Sequence, residues 1–100
     1  MKEAVVITLC VFLWAADRER DGLGRYEDAV LALLGDHGGR LVVRVRSNGD
    51  GPPDEVQVIQ FDGPDAMASF IEDPRRLALA GDRARVIERT EQFNVTAITG

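Results

Sequence analysis

The chain has 100 residues, 45% of them hydrophobic and 29% charged, and a formal net charge of -5 at neutral pH. That balance excludes a disordered or fibrous chain and describes one small globular domain, of a size that buries only about two thirds of its unfolded surface when alone. It also argues against nucleic acid as a partner, because phosphate binding needs Lys and Arg clustered on one face and the 12 basic residues here are scattered among 17 acids.

The first element is a near-unbroken apolar run from Ala4 to Ala16, AVVITLCVFLWAA. It is too short for a membrane span, which takes about 20 apolar residues. A secretory signal fits poorly as well. Glu3 cancels the charge of Lys2, bulky Leu13 and Trp14 stand where a small-x-small cleavage site is wanted, and Val, Ile and Thr favour a strand. The run therefore reads as a strand covered on both sides. Its odd face (Val5, Ile7, Leu9, Val11, Leu13) is aliphatic, its even face holds Thr8, Cys10, Phe12 and Trp14, and the pattern leaves open which of the two meets a partner.

After the polar connection ADRERDGLG, Leu23, Tyr26, Val30, Leu33 and Leu34 recur at helical spacing, with Arg25, Glu27 and Asp28 assigned to the opposite face. Gly35 to Gly39 ends this helix. Arg40 to Arg46 alternates as a strand, and Ser47 to Asp54 (SNGDGPPD) is a loop. Glu55 to Phe61 (EVQVIQF) carries Val56 and Val58 on one face and Ile59 and Phe61 on the other, which marks a second central strand.

Asp62-Gly63-Pro64-Asp65 opens a helix with Met67, Phe70 and Ile71 as its apolar stripe. Asp73 and Pro74 restart it after a kink, with Leu77, Ala78, Ala84 and Ile87 as a second stripe. A last strand, about Glu91 to Ile98, alternates Phe93, Val95 and Ala97 against Gln92, Asn94 and Thr96, the pattern of an edge.

The order strand, helix, strand, strand, helix, strand is the split βαβ arrangement of ferredoxin-like α+β folds. Right-handed crossovers place the first and third strands at the centre of an antiparallel sheet with both helices on one face. The other face would stay apolar in water, so the expected assembly is a homodimer with two sheets face to face.

Two segments, YEDAVLALLGDHGGRLVVRVR and EVQVIQFDGPDAMASFIEDPRRLALAGDR, resemble the DUF1330-type family of the dimeric α+β barrel superfamily. The likeness spans nearly the whole chain and includes Phe61, Met67 beside Ala66, Phe70, Asp73, Pro74 and Arg83. The chain departs from the family in the long, charged ADRERDGLG and in Arg75-Arg76, where an aromatic often follows the Asp-Pro pair. The resemblance implies a dimeric barrel of unknown function with an apolar cleft between sheet and helices.

Three residues are candidates for chemistry. His37 is the only histidine, although in a glycine-flanked turn its simpler role is to end a helix. Tyr26 pairs an apolar body with one polar handle and reads as core. Arg83 could meet an anionic ligand, with an ion pair to Asp73, Glu72 or Asp82 as the plainer expectation. Trp14 is expected to cover the core edge or a dimer seam, and Cys10 to be an inert packed thiol.

Ser47 and Ser69 lie in a loop and a helix without a nucleophile elbow, so a Ser/His/Asp reading is disfavoured. The glycines of GLG (residues 22 to 24) and of the loop at 49 to 51 read as turns, not as a phosphate cradle. No spacing suggests a metal or cofactor site. The single cysteine excludes an intrachain disulfide and fits a reducing cytoplasm.

The leading expectation is a cytoplasmic homodimer binding a small molecule in the cleft, with no membrane and no nucleic acid as partner. The alternative is a cofactor-independent monooxygenase, isomerase or cyclase acting on an aromatic or polyketide-like substrate. It requires a pocket of roughly 300 Å³ or more on which His37, Tyr26 or Arg83 converge. RNA binding through the sheet would need aromatics along EVQVIQF, where only Phe61 occurs.

Overall fold

A computed structural model describes residues 6–98; Ala4 and Val5 of the predicted first strand lie outside them. The elements are β1 (Ile7–Ala15), α1 (Arg20–Leu31), a 3-10 turn (Leu34–His37), β2 (Gly39–Arg46), β3 (Glu55–Phe61), α2 (Pro64–Ile71), α3 (Pro74–Leu77), α4 (Ala80–Val86) and β4 (Ile87–Asn94). The strands form one antiparallel sheet in the order β2-β3-β1-β4, so the two strands with apolar residues on both faces are the central ones.

The odd face of β1 lies under the helices. Leu9, Val11 and Leu13 are buried with Ile59 and Phe61 of β3 against Leu23, Tyr26 and Val30 of α1, Leu34, Phe70 and Val86. Each such side chain contributes about 1.5–3 kcal/mol relative to its exposed state. Gly38 closes the 3-10 turn at φ 68°, a left-handed conformation in which a Cβ is strained, and so lets the chain reverse into β2.

The even face of β1 is open. Cys10 is in register with Val58, which pairs with Val43, and Phe12 with Val56, which pairs with Val45, so an apolar band crosses three strands. Phe93 extends it onto β4, its ring 5.5 Å from that of Phe12. Val43, Val45 and Phe93 are each about half exposed, at 44%, 51% and 46%.

Several boundaries differ from the sequence reading. Arg20 to Gly24 belong to α1 instead of a connection, and a Cβ on Gly22 would lie 3.1 Å from Val86 Cγ1, so this glycine admits α4 close to α1. Glu27 is buried, not on the wet face. Leu77, Ala78 and Ala84 are exposed, and Leu79 and Val86 pack in their place, because the second helix breaks into two short turns whose phase is not continuous. In α2, Phe70 is buried while Ile71 is exposed.

The last strand, Ile87–Asn94, begins and ends four residues earlier than its alternation suggested. It keeps its edge position, but Phe93 faces the open side of the sheet, while Thr90 and Gln92 lie opposite Leu13 and Val11 on the helix side. Asp73 caps α3 as the sequence indicated, its carboxylate accepting from Arg75 N at 2.7 Å.

Candidate functional site

Two groups of polar side chains stand out. The first lines a cleft of about 90 Å³ between the sheet and the helices. Tyr26 and Glu27 enter it from α1, Gln57 from β3, Thr90 and Gln92 from β4, and Arg76 and Arg83 from the segment between, with Val11, Leu13, Val30, Ile59 and Phe70 as apolar wall. The volume is a few times a water's share of liquid and falls short of the roughly 300 Å³ of drug-sized pockets.

Glu27 is nearly sealed from solvent, and its Oε1 accepts from Gln57 Nε2 at 2.7 Å. The same amide group donates to Glu55 Oε2 at 2.6 Å. Arg44 closes the chain by donating from Nε to Glu55 at 2.7 Å, from Nη1 to Asp28 at 2.5 Å and from Nη2 to the carbonyl of Gly24 at 3.1 Å. Burial pushes the Glu27 carboxyl above its ordinary range and Glu55 adds to this, against the Gln57 hydrogen bond and Arg44. Burial and the neighbouring Glu27 raise Tyr26 as well. Arg44 is held more firmly protonated, chiefly by its bond to Glu55.

At the cleft mouth the arginines lack carboxylate partners among the described residues. Arg83 reaches only Thr90 Oγ1, at 3.4 Å. Of the acids expected to pair with it, Asp82 holds Arg85, Asp73 holds Arg75 and His37, and Glu72 forms no ion pair among the described residues. Arg76 lies 5.5 Å over the ring of Phe70, donates to the carbonyl of Ile71 and leaves its Nε buried without a partner.

The second group lies at the junction of α2 and α3. His37 ends the 3-10 turn, and its ring is gripped from both sides: Ser69 Oγ lies 2.5 Å from Nδ1, and Asp73 Oδ2 lies 2.7 Å from Nε2. Phe70 meets the ring edge-on at 6.2 Å. The Asp73 carboxylate is 3% exposed and also pairs with Arg75 at 2.7 Å, and these hydrogen bonds, Arg75 first and His37 second, hold it far below the usual carboxylate range. A shallow groove of about 650 Å³ opens over His37, Ser69 and Asp73.

The three candidates from the sequence thus divide. Tyr26 and Arg83 share the cleft, whereas His37 lies in the other groove, with Phe70 contacting both places. A Ser/His/Asp contact does exist, contrary to the sequence reading, because Ser69 and Asp73 are four residues apart at the α2–α3 junction and no elbow is needed to bring them to one histidine. Ser47 stays in its loop with its carbonyl bound by Arg20. Trp14 is on the open face, where Arg89 stacks on its ring at 4.4 Å, and Cys10 is a half-buried free thiol.

Glu27, Glu55 and Gln57 were missed altogether. Their only signal was that 55 and 57 share the phase of Ile59 and Phe61 along β3. Among the described residues no group of three or more His, Cys, Asp or Glu is arranged to hold a metal ion, and no helix is long and apolar enough to cross a membrane.

The geometry defines a ferredoxin-like α+β protein, and solved structures share its fold. No family model and no curated protein matches the chain. The RPA0582 protein of unknown function from Rhodopseudomonas palustris superposes with a TM-score of 0.79 at 14% identity, over 99% of this chain and 86% of that one. PA3566 from Pseudomonas aeruginosa gives 0.77 at 12% identity, over 99% and 100%. A dimeric protein of unknown function with a ferredoxin-like fold from Bacteroides fragilis gives 0.70 at 15% identity, over 90% and 94%. At these identities the likeness is one of fold.

Proposed function

We propose that the chain is a homodimer of the dimeric α+β barrel type, similar to the DUF1330-type family, that binds a small molecule in the cleft between sheet and helices. The apolar band over Cys10, Phe12, Val43, Val45, Val56 and Val58 supports assembly through the sheet, and the Bacteroides fragilis relative is itself described as dimeric. The free thiol of Cys10 suits a reducing cytoplasm.

The observation that carries ligand binding is the pairing of a buried Glu27–Gln57 contact at the cleft wall with the buried Tyr26 and the less buried Arg76 and Arg83. A packed core does not call for the buried Glu27 and Gln57, whose desolvation is offset by their mutual hydrogen bond, and Arg83 beside them is open to solvent. The cleft suits a small, largely apolar body with one anionic end for Arg83 and Arg76. The polyketide-like or multi-ring aromatic substrates of a monooxygenase, isomerase or cyclase exceed its volume.

Titration of the ¹⁵N-labelled protein with benzoate and with benzyl alcohol, followed by amide shifts, tests this. Benzoate is expected to move the amides of Tyr26, Val30, Gln57 and Thr90, benzyl alcohol to act more weakly, and Arg83→Ala to abolish the difference. Shifts confined to other regions, or none at millimolar ligand, would refute cleft binding.

A further inference from the structure

We propose that Ser69, His37 and Asp73 form a nucleophilic acyl-transfer site, separate from the cleft, that takes small activated carboxylic esters. The distances are those of a relay: 2.5 Å from Ser69 Oγ to His37 Nδ1 and 2.7 Å from His37 Nε2 to Asp73 Oδ2. Nucleophile and base, and base and orienting group, therefore stand within hydrogen-bond reach.

The protonation pattern follows from the partners. Asp73 is an ionised acceptor fixed from its other side by Arg75 and by its own helix cap, so the nitrogen facing it carries the proton. Nδ1 is then left with its lone pair directed at the Ser69 hydroxyl. This is the tautomer logic of a serine hydrolase with the two ring nitrogens exchanged, and such constellations are recognised by geometry and role.

The groove gives access. His37 is largely buried, with 14% of its side chain exposed, while Ser69 lies on the exposed side of α2. Asp65 and Glu72 border the same groove, while Arg75, which also lines it, is paired with Asp73 and Asp36, so an anionic ester is disfavoured and a neutral or cationic one preferred.

The reaction balances without a cofactor. Ser69 Oγ bonds to the acyl carbon as its proton passes to His37 Nδ1. The bond from that carbon to the leaving alcohol breaks, and the departing oxygen takes the proton back from His37. Water then attacks the acyl-serine with His37 again as base, which releases the acid and restores the hydroxyl. The helical setting of Ser69 restricts the site to good leaving groups such as phenols, whose departure demands little stabilisation of the oxyanion.

The probe is 4-nitrophenyl acetate added to the intact purified protein, with 4-nitrophenolate release and the acetylated residue both measured. Expected are a burst approaching one phenolate per chain and an acetyl group on Ser69. Ser69→Ala, an exposed helical change that favours the fold, removes both. His37→Gln slows acylation by about a hundredfold or more, the usual worth of a general base.

Asp73 is a positioning residue, and its readout is the ¹⁵N spectrum of His37. The protein should show the Nε2–H tautomer and Asp73→Asn should lose it. Acetylation confined to Tyr26 or Lys2, a burst that survives in Ser69→Ala, or a His37 that carries its proton on Nδ1 would each overturn the proposal.

Discussion

Gln57 Nε2 stands 2.7 Å from Glu27 Oε1, a hydrogen bond that joins the central strand β3 to α1 inside the apolar layer. Because the Gln57 amide also serves Glu55, one side chain satisfies two carboxylates that would otherwise repel at close range. Replacing Gln57 with Leu removes the donor and keeps the volume. The expected loss is about 1–3 kcal/mol, the cost of leaving a buried polar group unsatisfied, measured as a lower urea midpoint with an unchanged slope.

Glu27 makes stability depend on pH in a stated direction. Its carboxyl is raised by burial, so between the ordinary 4.5 and the raised value the folded state holds more protons than the unfolded state. Stability is accordingly highest at or below pH 4.5 as far as this group is concerned, and it declines as pH rises through the folded value. Glu27→Gln should flatten this part of the profile, seen as urea midpoints at pH 5 and pH 8 that lie closer together than in the parent.

Arg44 supports the same chain from the edge strand. It bridges Glu55, whose side chain is 4% exposed, to Asp28 and the Gly24 carbonyl. Arg44→Met strands a buried carboxylate. Since the arginine itself is partly solvated, about 2–3 kcal/mol is expected, toward the low end for breaking a buried pair. Arg44→Lys should rescue little, because a single ammonium cannot reproduce the forked contacts. Thermal unfolding of the two variants side by side distinguishes loss of charge from loss of geometry.

The strand order and the two central strands were legible in the sequence, and the phase of the last strand and the polar sites were not, for a physical reason. Alternation reports which face of a strand is apolar, and apolar residues on both faces mark β1 and β3 as the central strands. It cannot report a polar residue buried in the apolar phase, and Glu55 and Gln57 are such residues. Helical spacing likewise assigned Glu27 to solvent, although it adjoins Tyr26 at the margin of the buried stripe and is sealed by Gln57. The contacts of His37 with Ser69 and Asp73 span 32 and 36 residues, and only the packing of the 3-10 turn against α2 makes them. The interruption at Ala78 and Leu79 reset the helix phase, which is why Leu77 and Ala84 were misplaced.

Val58 tests the assembly. It lies mid-strand on the open face, in register with Cys10 on one side and Val43 on the other, away from the helix-packed core. Val58→Asp should convert a dimeric mass to a monomeric one in light scattering at micromolar concentration, while the circular dichroism of the fold persists. A monomeric parent, or a variant that remains dimeric, would remove the sheet from the interface.

Asp73 has the opposite pH signature to Glu27. Its carboxyl is depressed, first by Arg75 and then by His37, so its contribution is present above the ordinary 3.8 and is lost as pH falls below that value toward the folded one. Asp73→Asn keeps a side chain able to cap α3 but removes the ionised acceptor for His37 and Arg75. The variant should be less stable than the parent at pH 7 and should lose less between pH 5 and pH 3, so that the two unfolding curves converge in acid. If the gap stays constant down to pH 3, the charge of Asp73 is not what holds the α2–α3 junction to His37.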